Sequence, residues 1–165
     1  MKVPGRCSLT KLAETTYFTF KSSLFNTSED KESFVNPGCF GDDVCEFFIK
    51  RLKNSPLNCD EEPIAEDWGW GFIFEYDKKR FFVGCGFNVD YECWLMFIDP
   101  QRSLIQMMFG KSDGVPLICA QAIHNALSES IDIIDLKWHR PDEWDRALDY
   151  ASKGITHDIG SDKPF

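Results

Sequence analysis

The sequence predicts a single α+β domain in which an antiparallel β-meander sheet packs against two to three helices. Apolar side chains alternate through residues 68–76 and again through 81–89, which is the period of strands with one buried face. Residues 42–53 and 115–126 instead repeat apolar side chains at the spacing of an amphipathic helix. A chain of 165 residues has the length of one domain.

The N-terminal part of the chain predicts one strand and one helix. A moderate alternation of apolar residues predicts a strand within 14–25, and the Ser-, Asn-, Pro- and Gly-rich residues 26–41 predict a loop. The helix is expected to begin at Asp42 or Asp43, because Asp43 and Glu46 have the spacing of a capping box.

The centre of the chain predicts the meander. The stripe that begins at Trp68 and Trp70 forms its first strand, a polar turn at 77–80 follows, and a loop over 54–63 precedes it. Residues 91–98 are apolar on both faces, so they are expected to form a central strand, and residues 104–109 predict a further strand. The short polar connections favour antiparallel neighbours.

The C-terminal part predicts a helix after Pro116, a strand over 131–138 and a short helix from Pro141. Residues 152–165 are rich in Gly and Asp and are expected to form a loosely held tail. No repeat or linker divides the chain, so residues 1–165 are expected to form one domain.

Composition excludes several classes of protein. With 27 acidic and 18 basic residues the net charge is −9, the opposite of the basic stripe that binds nucleic acid. The longest charge-free apolar stretch, Cys93–Ile98, is too short to cross a membrane, so neither a nucleic-acid nor a membrane partner is expected. No apolar leader follows Met1, and the seven cysteines are odd in number without C-x-x-C spacing, which indicates a reducing cytoplasm.

The motifs predict no catalytic residue, metal site or cofactor. Cys85 lies between Gly84 and Gly86, but no neighbouring base in the sequence lowers its pKa. Glycines within a strand, here also Gly69 and Gly71, indicate instead that another element passes close to the backbone.

An enzyme and a ligand-binding regulatory domain remain the alternative hypotheses. Both place a cleft between the meander and the second helix. The enzyme would draw its titratable groups from Glu66, Cys85, His124 and His139.

The distribution of charge is the feature that points to a partner. Residues 54–77 contain seven acids and no Lys or Arg, and residues 129–149 contain seven acids and three bases. One interpretation is that these acids only maintain solubility. The alternative is an acidic face with aromatic anchors for a basic protein partner. The residues predicted to bind that partner are Asp60, Glu61, Glu62, Glu66, Asp67, Trp68, Trp70, Asp142 and Glu143.

The run Trp68-Gly69-Trp70-Gly71-Phe72 and the later strand with Trp94 are similar to those of uncharacterised bacterial domains. In size, acidity and layout the whole chain resembles bacterial toxin-immunity proteins. That resemblance implies a non-enzymatic cytoplasmic protein that binds a basic toxin domain, often a nuclease, tightly and one to one. A less favoured variant is a phage inhibitor whose carboxylates imitate the phosphates of DNA.

Overall fold

The computed structural model describes residues 10–101, 108 and 114–144 of the chain, and its elements form a seven-stranded antiparallel sheet with helices. The helices are α1 (Asp42–Arg51), α2 (Leu117–Ser128) and the short α3 (Pro141–Trp144), and a 3₁₀ turn over Leu52–Asn54 follows α1. The strands are β1 (Tyr17–Lys21), β2 (Asn58–Cys59), β3 (Ile64–Ala65), β4 (Trp70–Tyr76), β5 (Lys79–Asn88), β6 (Cys93–Pro100) and β7 (Ile134–His139). They lie in the order β2–β4–β5–β6–β1–β7, with β3 also paired to β4. The predicted single α+β domain with an antiparallel sheet is confirmed.

Strands β4, β5 and β6 form the predicted meander. Asp77 and Lys78 connect β4 to β5 with φ values of 49° and 62°, which are the positive values of a two-residue type I′ hairpin. The predicted turn at 77–80 is therefore shorter, since Lys79 and Arg80 already pair in β5. Strand β6 has β5 on one side and β1 on the other, so its predicted central position is confirmed.

The structure corrects the prediction at three places. Strand β2 and the pairing of Asp60 with Ile73 lie within the predicted loop 54–63. The capping box does not form, because the Asp43 carboxylate accepts hydrogen bonds from the backbone N–H groups of Asn26 and Val44. Of the predicted strand 104–109 only Met108 is described, and its backbone is helical. The predicted tail over 152–165 lies outside the described residues.

The helices cover one face of the sheet. Phe48 of α1 stacks on Phe72 of β4 with ring centroids 5.6 Å apart, and its edge meets Phe18 of β1. On the β7 side, the Trp138 indole N–H donates to Nδ1 of His124 on α2 at 3.2 Å. Because alternate strand residues point to opposite faces, the intervening residues, among them Phe82 and Phe97, lie on the other face. We call this second face the open face, since Phe82 and Phe97 are partly exposed on it, although Thr19 and His139 of the same face are buried.

Candidate partner-binding surface

The acidic residues of segment 60–66 lie along an interrupted strand that pairs with the edge of β4. They are Asp60, Glu61, Glu62 and Glu66. Cys59 pairs with Phe74 and Ile64 pairs with Gly71. The edge segment therefore advances by five residues where β4 advances by three. The two extra residues form a bulge around Glu61 and Glu62. Bulges and charges at a sheet edge also prevent pairing with other chains, so this arrangement alone fits the solubility interpretation.

The edge carboxylates face different surroundings. Asp60 is paired with Arg80 of β5 at 2.7 Å. Glu61 and Glu62 line a groove of about 730 Å³ between the edge segment and α1, and Lys50 and Lys53 line the same groove. The groove lies beside α1, whereas the enzyme and ligand-binding hypotheses place their cleft between the meander and α2.

Asp67 and Trp68 form the tip of a hairpin that joins β3 to β4. The Glu66 N–H donates to the Gly69 carbonyl at 2.9 Å and closes this hairpin. The Asp67 carbonyl accepts hydrogen bonds from the Asn36 side-chain amide at 2.7 Å and from the Cys39 thiol at 3.4 Å. The tip is thus fixed by the loop that precedes α1, while Asp67 and Trp68 both remain exposed.

The two predicted tryptophans lie on opposite faces of the sheet. Trp70 is 7% exposed, and its indole N–H donates to the Cys39 carbonyl at 2.9 Å. Trp68 is 45% exposed and packs on the open face over Gly84 of β5. Of the two rings, only that of Trp68 is substantially exposed to solvent.

The open face carries an aromatic cluster that the sequence predictions did not include. We call Tyr17, Trp68, Phe82 and Phe97 the aromatic cluster. The Phe97 ring lies at its centre, with centroids 5.9 Å from Tyr17, 5.7 Å from Trp68 and 6.1 Å from Phe82. All four side chains are partly exposed. Two features of the sequence indicate this surface. The residues of β5 and β6 that point away from the helices include apolar side chains, and β4 and β5 contain glycines.

Gly69, Gly71 and Gly84 have the close neighbours that the sequence predicts, whereas Gly86 has none closer than 3.9 Å. A Cβ atom on Gly84 would lie 2.3 Å from the Phe97 ring and 2.8 Å from the Trp68 ring. A Cβ atom on Gly71 would lie 2.2 Å from the Phe82 ring. Rings of the aromatic cluster therefore pack directly against the backbone of the sheet at these two glycines.

The described acids of the second window are spread over two places, since Glu129 lies 3.8 Å from Arg51 of α1 and Asp142 lies at the β7 edge of the sheet. Asp142 follows β7 and is exposed, with a carboxylate oxygen 3.4 Å from the Arg140 guanidinium, and the Glu143 side chain lies outside what the structure describes. Four strand spacings separate β4 from β7, which is roughly 19 Å. Asp142 is therefore separated from the acids of the β4 edge by the width of the sheet. Charge along the chain could not predict this separation, because it depends on the order of the strands.

The structure keeps the titratable groups of the enzyme hypothesis apart. His139 is buried beside Thr19 on the open face with 3.0 Å between Nε2 and Oγ1, whereas His124 contacts Trp138 on the helical side. Glu66 lies at the β3–β4 hairpin, towards the opposite edge of the sheet from β7, which carries His139. Cys85 is buried between β5 and α1.

Burial keeps several thiols protonated. It raises the pKa of Cys85 well above its ordinary value, and a hydrogen bond with Cys45 raises it further. Burial likewise raises the pKa of Cys59 to about 11, with a further contribution from the charge of Asp60, and raises the pKa of Cys119 to about 12. A thiol with a raised pKa is a poor nucleophile near neutral pH.

Comparisons with protein-family models, curated proteins and solved structures find no match for this chain. Within the described ranges, no group of three or more His, Cys, Asp or Glu side chains has a geometry that could hold a metal ion. No described helix has both the length and the apolarity that a membrane span requires.

Proposed function

We propose that this protein is a cytoplasmic binding protein that neutralises a basic protein partner, as a toxin-immunity protein does. The observation that carries the proposal is the hairpin tip at Asp67 and Trp68. It holds a carboxylate and a half-exposed indole side by side, next to the further acids of the β4 edge. Exposed tryptophans are common anchors of protein interfaces, and surrounding carboxylates accelerate the capture of a basic partner.

The proposal assigns the two acidic windows different roles. The β4 edge adjoins the aromatic cluster, whereas the β7 edge lies roughly 19 Å away. Exposed charges at that distance are largely screened, since the Debye length is about 8 Å at physiological ionic strength. We therefore propose that the carboxylates near Trp68 steer the partner and that those near Asp142 mainly maintain solubility.

The first experiment is capture of the partner by the full-length chain from its native cell at low and high salt. We expect a basic protein to be retained at low salt and released more easily at high salt. Recovery of the chain alone under gentle conditions would contradict the proposal.

The second experiment measures association rates for the captured partner with matched charge variants. Glu61→Gln, Glu62→Gln and Asp67→Asn together are expected to slow association by about tenfold at low salt, because they remove the steering charges. The control is Asp132→Asn, Asp142→Asn and Glu143→Gln, which removes equal charge at the other edge and is expected to leave the rate within about twofold. Equal effects of the two variants would show that only net charge matters.

A further inference from the structure

The open face of the sheet carries a half-exposed aromatic surface. Helices α1 and α2 lie on the opposite face, where the larger apolar side chains are buried. Phe82 and Phe97 remain partly exposed although each belongs to a central strand of the sheet. Exposed contiguous aromatic surface of this kind is a mark of an interaction site.

The rings of the aromatic cluster pack closely against the backbone of the sheet and against one another. The Phe82 ring lies over Gly71, and the Phe97 and Trp68 rings converge over Gly84. Trp68 is also tethered at the hairpin tip through the hydrogen bonds to the Asp67 carbonyl. Rings fixed in this way lose little conformational entropy on binding, which favours their use as anchors.

The charges around the cluster indicate what covers it. Glu66 and Asp67 lie beside Trp68, and Asp99 lies directly opposite Phe82 in the sheet register. A second copy of this chain would bring another net charge of −9 against these carboxylates, so like-charge repulsion opposes it. A basic surface is complementary to the same carboxylates.

Arginine is the side chain that fits both features. Its planar guanidinium stacks on tryptophan rings and is less strongly hydrated than a lysine ammonium. It also donates hydrogen bonds to carboxylates in a fixed geometry. A guanidinium against the Trp68 ring has the Asp67 carboxylate on the adjacent residue of the hairpin tip.

We infer that the aromatic cluster is the centre of the docking surface, and that the basic partner places an arginine side chain against Trp68 beside Asp67. This inference rests on the proposed function for the identity of the partner as a basic protein. The groove beside α1 is not part of this surface, since its walls carry Lys50 and Lys53 as well as Glu61 and Glu62.

The guanidinium site can be tested without the natural partner. The probes are end-blocked peptides of alternating glycine and arginine, with matched lysine and glutamate peptides, titrated into the isotopically labelled full-length chain. The Trp68 indole resonance is identified as the signal lost in Trp68→Phe, or in Trp68→Tyr if the first variant does not fold. We expect the arginine peptide to shift this signal most and the glutamate peptide not to shift it. An unmoved signal, or an equal shift with glutamate, would overturn the inference.

Two controls test the position of the site. Asp67→Asn is expected to reduce the shift of the Trp68 signal, whereas Asp142→Asn at the far edge is expected to leave it unchanged. A soluble paramagnetic agent is expected to broaden the Trp68 ring signals. Protection from the agent would show that another part of the chain or a second copy covers the cluster, and would overturn the inference.

The captured partner separates failure of the inference from failure of the proposed function. Trp68→Ala and Phe82→Ala are each expected to weaken its binding by about tenfold or more, as anchor residues do. Val89→Ala, at a residue 72% exposed beyond the end of β5, is the matched control and is expected to have no effect. If the partner binds both cluster variants normally, the inference is wrong and the proposed function stands. If no basic protein binds but the arginine peptide shifts the Trp68 signal, the proposed function is wrong and the inferred arginine site at Trp68 stands.

Discussion

Gly69 is a residue at which the backbone leaves no room for a side chain. A Cβ atom there would lie 2.3 Å from the Cys85 carbonyl oxygen, which is fixed in the β4–β5 pairing. We expect Gly69→Ala to lower the free energy of unfolding by about 1–3 kcal/mol, because backbone must shift to admit the methyl group. Urea denaturation measures this change.

Gly86 provides the matched control for Gly69. The nearest atom to a Cβ on Gly86 is the Trp68 carbonyl oxygen at 3.9 Å, which is ordinary contact. We expect Gly86→Ala to be neutral or to stabilise by up to about 1 kcal/mol, since alanine restricts the unfolded chain. Equal losses in the two variants would mean that strand glycines are needed here for backbone conformation and not for close approach.

The tryptophan pair shows what residue-level prediction from sequence achieves and where it stops. The alternating stripe correctly assigns Trp70, Phe72 and Phe74 to the buried face of a strand. It assigns Trp68 to the same face, which is wrong, because the strand begins at Trp70 and Trp68 belongs to a turn. The turn exists through pairing with β3, a strand of two residues that is too short to leave a periodic pattern.

Phe48 is one of the buried residues that attach helix α1 to the sheet. Its side chain is fully buried, stacks on Phe72 and meets the edge of Phe18. We expect Phe48→Ala to lower the free energy of unfolding by about 3–5 kcal/mol, from lost burial and from the cavity left behind. The neighbouring Phe47 is only partly buried and packs on Phe25, so Phe47→Ala is expected to cost clearly less. Denaturant midpoints with unchanged m-values test both variants, and a larger loss at Phe47 would contradict this assignment.

At the scale of elements, local patterns predict the elements but not all of their neighbours. The positions predicted for helix α1 and for the strands of the meander are close to the observed ones, because apolar periodicity and tight turns act over short stretches of chain, although the predicted capping box does not form. The position of β1 between β6 and β7 joins segments far apart in sequence, and no local pattern encodes such a pairing. The open-face surface depends on this strand order, since Tyr17 reaches Phe97 only when β1 lies beside β6.

Across the whole molecule, the order of the strands determines how the acidic residues are distributed over the surface. The sequence contains two acidic windows, but the four strand spacings between the β4 edge and Asp142 after β7 follow only from the fold. Asp67 of the first window adjoins the aromatic cluster, and Asp142 of the second follows β7 at the far edge of the sheet. The candidate surface was therefore predictable in part, at Asp67 and Trp68, whereas Phe82, Phe97 and Tyr17 join it through tertiary structure.

The raised thiol pKa values make the stability of the whole molecule sensitive to alkaline pH. The pKa is about 11 for Cys59 and about 12 for Cys119 in the folded state, above the ordinary value of 9.0. Above about pH 9 the unfolded chain therefore releases thiol protons that the folded chain keeps, so the free energy of unfolding falls as pH rises. Below about pH 8 both states keep these protons and the contribution is constant. Urea denaturation across this range tests the expectation. Cys119→Ala is expected to be less stable at every pH but to show a shallower alkaline loss, whereas an unchanged slope would mean that other groups cause it.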